Sequence, residues 1–84
     1  MNKVNWTLKA LKQLRKLPRK QQVTIVEKVG GLAGMPDCVN VKSLTGCQGQ
    51  YRLRVGRYRV IFSWQQEIKI VTIEKVGKRD ERTY

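Results

Sequence analysis

The chain contains no histidine. That excludes a histidine-based general acid/base pair and any Ser-His or Cys-His nucleophile. Cysteine is scarce: Cys38 and Cys47 stand alone in 84 residues, too few for a disulfide scaffold. With neither histidine nor a CxxC pair there is no zinc-ligand set, and the two thiols are expected to be free and cytosolic. Acids are few as well. Glu27, Asp37, Glu67, Glu74, Asp80 and Glu81 are all there are, and only the last two adjoin. Two-metal phosphodiester chemistry needs clustered carboxylates, so no metal and no cofactor are expected. No apolar run approaches the roughly 18 residues of a membrane span. The N-terminal stretch lacks the apolar core of a signal peptide. One cytosolic domain with a small core, residues 1–84, is the expectation.

Positive charge is what the chain has in excess. Eighteen Lys and Arg stand against the six acids, a formal +12. In so short a chain this favours a polyanionic partner, most often nucleic acid. A membrane surface is the competing anion. It ranks lower because the cations are spread along the whole chain and are not gathered in one amphipathic helix.

Gln50 to Arg79 is the stretch around which the rest is organised. Tyr51-Arg52-Leu53-Arg54-Val55 and Tyr58-Arg59-Val60-Ile61-Phe62 alternate with period 2 about Gly56-Arg57. That pattern predicts a β-hairpin with glycine at the first central position of a type II′ turn. In this register Val55 faces Tyr58, Leu53 faces Val60 and Tyr51 faces Phe62, all on a core face. The other face carries Arg52, Arg54, Arg59, Ile61 and Ser63, with Arg54 opposite Arg59. Like charges directly across a sheet are destabilising. A solvated face normally mixes signs, and this one has three arginines and no acid. An anion would relieve the repulsion, and guanidinium forks suit phosphate.

The remaining elements follow from periodicity and breakers. Lys3 to Trp6 is a short strand candidate. Thr7 to Leu17 is a helix candidate with Leu8, Leu11, Leu14 and Leu17 as its stripe, widened by Ala10. Pro18 ends it and opens a second helix, to about Ala33, with Val23, Val26, Val29 and Leu32 as the apolar side and Ile25 adjacent. Gly30-Gly31 weakens its end. Met35-Pro36-Asp37 breaks the pattern, and Val39 to Leu44 is a short strand or an extended lead-in. Thr45 to Gly49 is a loop. After the hairpin, Trp64 to Glu67 reverses the chain, and Ile68 to Val76 is a further strand, its first part apolar enough for burial on both faces. The expected fold is α+β, in the order β-α-α-β-β-β. A helical hairpin covers one face of a small, mainly antiparallel sheet, and the arginine face stays open.

The chemistry left to such a face is electrostatic. Arginines bind a phosphodiester and stabilise the added charge of its pentacoordinate transition state. They stay protonated and make poor bases. A nuclease built this way would favour RNA, which carries its own nucleophile in the 2′-hydroxyl.

At this point the residues resemble a known family. The order of elements, Leu14-Arg15-Lys16-Leu17-Pro18, Gly34-Met35-Pro36-Asp37-Cys38, Tyr58-Arg59-Val60 and Val76-Gly77-Lys78-Arg79 are together similar to RelE-type toxins of the RelE/ParE toxin–antitoxin superfamily. The resemblance covers essentially the whole chain. It implies a ribosome-dependent endoribonuclease that cuts the A-site codon of mRNA by metal-free 2′-hydroxyl attack, held in check by a cognate antitoxin. It also implies roles. Arg52 and Arg54 correspond to the family's two alternating basic residues, which are left with charge stabilisation when both are arginine. Arg59 corresponds to the arginine at the scissile phosphate. Arg79 corresponds to the residue that stabilises or protonates the leaving oxygen, and Tyr84 to the one that orients the nucleotide. Lys9, Lys12, Arg15, Lys16, Arg19, Lys20, Arg57, Lys78 and Arg82 are expected to be general RNA contacts. Ile61, Ile68 and Ile70 suggest an apolar patch for the antitoxin beside the arginines.

Two rivals share these residues. A ParE-like member of the same superfamily poisons DNA gyrase and cuts no RNA, and fold alone does not separate the two. A plain RNA-binding domain would explain the charge. It would be expected to show aromatics on the open face, where this register places none.

Overall fold

The structure, a computed structural model, describes residues 1–44, 46 and 49–78. Five strands and two helices follow in the order β1 (Lys3–Trp6), α1 (Leu8–Arg15), α2 (Arg19–Gly30), β2 (Val41–Ser43), β3 (Gln50–Val55), β4 (Tyr58–Gln65) and β5 (Ile70–Lys78). A 3₁₀ turn, Gly31–Gly34, extends α2. The run after Pro36 therefore does supply a strand, shorter than the Val39–Leu44 stretch. The sheet order is β1-β5-β4-β3-β2. Only the β1–β5 pair is parallel.

The hairpin register is the expected one. Tyr51 pairs with Phe62, Leu53 with Val60, Arg54 with Arg59 and Val55 with Tyr58. Gly56 has φ +55 while Arg57 stays out of the left-handed region, as a II′ turn requires. The second reversal comes later than expected. β4 runs on through Trp64 to Gln65, and the turn is made by residues 66–69, with Lys69 at φ 55. Ile68 is thus exposed in a turn and starts no strand. In β5 only Val71, Ile73 and Val76 are buried; Ile70 and Thr72 lie half-buried on the open face, so the strand is not sealed on both sides.

Helical geometry decides which leucines and valines reach the core. Successive residues turn about 100°, so an i+3 series drifts about 60° per step. Leu8 therefore points away from the side shared by Ala10 and Leu14, and it is 66% exposed. On α2 and its extension, Ile25, Val29 and Leu32 are spaced i, i+4, i+7 and are buried. Val23 and Val26 lie off that line and are about half exposed, against expectation.

The core lies between the helices and one sheet face: Ala10, Leu14, Ile25, Val29 and Leu32 against Leu53, Val55, Val60, Phe62, Val71, Ile73 and Val76. Polar side chains pin the layers. Thr7 caps α1 by accepting from Ala10 N–H at 3.1 Å, and its hydroxyl donates to Ile73 C=O at 2.8 Å. Gln13 Oε1 accepts from Val76 N–H at 2.8 Å. α1 thereby fixes both ends of the β5 segment that borders the open face.

Candidate nucleic-acid interface

Because the helices take one face of the sheet, the other is left without a covering layer among the described residues. Its side chains stand in rows set by the strand register. Arg54, Arg59 and Gly77 form one row across β3, β4 and β5. Lys42, Arg52, Ile61 and Lys75 form the next, from β2 to β5. Gln50, Ser63, Thr72 and Asn5 form a third. Directly opposed side chains in such rows have Cβ atoms about 5 Å apart. Three arginines are thus held within reach of a single phosphodiester.

Arg52 and Arg59 are half-buried, while Arg54 is exposed. Among the described residues no acid pairs with any of the three. Gly77 is the neighbour of Arg59 on β5, and a Cβ built there would meet nothing within 4 Å. The floor beside Arg59 is therefore open.

Lys42 and Lys75 join the cationic surface without having been singled out in the sequence. Lys42 lies on a strand whose limits are not legible, so its facing could not be assigned. Lys75 follows an irregularity. The β4–β5 register slips between Ile61, paired with Lys75, and Phe62, paired with Ile73, which leaves Glu74 as an extra residue. A bulge of this kind breaks strict alternation. Counted straight from Ile73, Lys75 would fall on the core side.

The other basic residues separate by place. Lys9, Lys12, Arg15 and Lys16 are exposed on or just after α1, in the helix layer on the far side of the sheet. Arg19 and Lys20 are exposed in the first turn of α2. Arg57 is exposed at the hairpin tip, next to the Arg54–Arg59 row. Lys78 pairs with Tyr58, so it shares the parity of the core face and stands at a strand end. Arg79, Arg82 and Tyr84 lie outside the described residues. Of the expected apolar patch, Ile61 and Ile70 are on the open face beside the arginines, and Ile68 is in the turn.

No aromatic of the hairpin stands on the open face. Tyr51 stacks on Phe62 with ring centroids 5.6 Å apart and meets Trp64 edge-on at 6.0 Å, all on the helix side. Cys38 is half-buried and donates to Gly31 C=O at 3.4 Å; burial, then the neighbouring Asp37 carboxylate, push its thiol above the ordinary value. It lines one pocket with Arg54, but a raised thiol is a poor nucleophile.

Comparison with known proteins gives the family and the fold. The model of the ParE toxin of the type II toxin–antitoxin system parDE matches residues 4–83. The chain belongs to this family. It is a toxin of a type II toxin–antitoxin module, of the RelE/ParE superfamily, and RelE-type in structure. A chain of the toxin–antitoxin complex RelBE2 from Mycobacterium tuberculosis is 28% identical, with a TM-score of 0.79, covering 93% of this toxin and 98% of that chain. A chain of the archaeal RelE–RelB complex from Pyrococcus horikoshii is also 28% identical, with a TM-score of 0.81 and coverage of 95% and 97%. The isolated E. coli RelE toxin shares the fold at 21% identity, with a TM-score of 0.82 and coverage of 99% and 89%. No curated protein matches the sequence.

Proposed function

We propose that this toxin is a ribosome-dependent endoribonuclease that cuts mRNA in the A site without a metal. The observation that carries the reading is the Arg54–Arg59 pair. Two like charges held directly opposite on an uncovered face, with Arg52 one row away, cost stability that only an anion returns. In this reading Arg52 and Arg54 grip the phosphodiester, and Arg59 faces the scissile phosphate and its developing charge. Arg79 and Tyr84 follow on the tail, as the family resemblance implies. The 2′-hydroxyl of the substrate is the nucleophile, and the products are a 2′,3′-cyclic phosphate and a 5′-hydroxyl. A cognate antitoxin is the inhibitory partner, as RelB is in the complexes named above, and Ile61 and Ile70 offer it an apolar contact beside the arginines. The toxin would act in the cytosol, on ribosomes.

The name of the matching family favours one other reading, a gyrase poison that leaves RNA intact. Primer extension on a translated mRNA after brief induction, wild type beside Arg59→Ala, separates the two. Cuts within codons that need translation and vanish in Arg59→Ala are the expected result. Growth arrest with intact mRNA would overturn the nuclease reading in favour of the gyrase one.

A further inference from the structure

The five strands contain a single acid, Glu74. Three observations make it more than a solvated side chain. It is the extra residue of the β4–β5 irregularity, on the open face by alternation from the buried Ile73, and the slip brings Lys75 onto that face beside it. Its Oε1 accepts a hydrogen bond from Gln50 Nε2 at 3.2 Å. Gln50 is on β3 and Glu74 on β5, so this bond bridges over β4, at the small side chain of Ser63. The carboxylate is thereby held above the middle of the sheet, one row from Arg52 and two from Arg59. Among the described residues, the charged groups that share its face on the strands are Lys3 from β1, Lys42 from β2, Arg52 and Arg54 from β3, Arg59 from β4 and Lys75 from its own strand; every one is a cation.

A face made to attract RNA gains no affinity from a carboxylate. Placed there and oriented by an amide, the carboxylate supplies what arginines lack, a proton acceptor. Resting on the nuclease reading above, we propose that Glu74 is the general base, with Gln50 as its positioning residue. With the scissile phosphate on Arg52, Arg54 and Arg59, the ribose on its 5′ side lies toward the Gln50–Ser63 row. Glu74 takes the proton of the 2′-hydroxyl as its oxygen bonds to phosphorus. The P–O5′ bond breaks with its electron pair on the 5′-oxygen, which takes a proton from water, and Glu74 later returns its own proton to solvent. No other reactant is needed.

The test is single-turnover cleavage of mRNA in programmed ribosomes by the full-length toxin, across pH. Glu74→Gln is near-isosteric and can still meet Gln50. Its expected effect is a roughly 10²- to 10⁴-fold lower cleavage rate constant, loss of the limb on which the rate rises with pH, and ribosome binding as tight as wild type or tighter. Gln50→Leu frees the carboxylate without removing it. It should lower the rate by less and keep the pH limb. A Glu74→Gln toxin that cleaves at the wild-type rate with an unchanged pH profile overturns the base assignment while leaving the nuclease reading in place. Full activity of Gln50→Leu overturns the positioning role. A wild-type toxin that leaves the message whole brings down the nuclease reading, and the base with it. Should Glu74→Gln fail to fold by circular dichroism, Glu74→Asp decides: it keeps the carboxylate one methylene short, and should keep the pH limb at a reduced rate. An unchanged rate there overturns the assignment.

Discussion

Arg54 and Arg59 stand directly opposite each other on adjacent strands, on the face that the helices leave open. Both flanking pairs in the same ladder, Leu53–Val60 and Val55–Tyr58, face the core, so the hairpin cannot slip to separate the charges. A one-residue slip would expose Leu53, Val55 and Val60. Arg54→Gln is therefore expected to stabilise the free toxin by about 0.2–1 kcal/mol at low salt. The gain should fade near 1 M salt, where screening acts within about 3 Å. Urea denaturation at both ionic strengths reads this directly. A destabilised variant would mean that the two guanidinium groups do not repel as their register implies.

The cations of the helix layer and those of the sheet should fail in different ways. Lys9, Lys12, Arg15 and Lys16 are separated from Arg59 by the thickness of the sheet and the core. Changing all four to Gln is expected to weaken ribosome binding and to flatten its salt dependence, by about 0.7–0.9 in the log–log slope for each lost phosphate contact. Cleavage at saturating ribosome should not change. Arg59→Gln should lose cleavage while altering the slope by about one contact. Binding titrations from low to moderate salt, paired with single-turnover rates, distinguish the two. Loss of the chemical step in the quadruple variant would show that the helix layer reaches the scissile site.

The hairpin was fully legible in the sequence because its alternation, its glycine turn and its charges point to one register. Arg54 opposite Arg59 followed from counting alone. Sidedness was not legible where counting fails. Glu74 and Lys75 sit at a bulge, and no residue type announces one there. Val23 and Val26 look as apolar as Val29, yet only Val29 shares a line with Ile25 and Leu32. The extent of β4 was missed because Trp64 and Gln65 resemble a turn until Lys69 is seen to take the positive φ. The bridge from Gln50 to Glu74 spans 24 residues of chain, and no local pattern encodes it.

Asn2 is another long-range feature with a measurable consequence. Its Nδ2 donates to Ala33 C=O at 3.1 Å and Met35 C=O at 3.0 Å, and its Oδ1 accepts from Trp64 Nε1 at 2.9 Å. This nearly buried amide ties the start of β1 to the chain leaving the helix layer and to β4. Asn2→Ala removes three hydrogen bonds; Ala33 C=O keeps the Asn2 backbone N–H at 2.9 Å, while Met35 C=O and Trp64 Nε1–H lose their partner, which should cost about 1–3 kcal/mol. Equilibrium urea unfolding followed by tryptophan fluorescence is the check. A cost below about 0.5 kcal/mol would mean that water replaces the amide at no loss.

Gly77 offers a way to close the site without touching a charge. It pairs with Arg59, its φ is not positive, and an added Cβ meets nothing within 4 Å. The fold therefore gives no reason for glycine here, and glycine in a strand interior otherwise weakens the strand. Such a glycine often marks close approach by a ligand. Gly77→Val should leave thermal stability unchanged or raise it, since valine suits a strand. It should also obstruct the phosphodiester beside Arg59 and lower cleavage, with Gly77→Ala intermediate. The graded loss from Gly to Ala to Val, against constant or rising Tm, is the signature of steric exclusion at the open face. Full cleavage by Gly77→Val would place the substrate backbone away from the Arg54–Arg59–Gly77 row and move its path toward Lys42, Arg52 and Lys75.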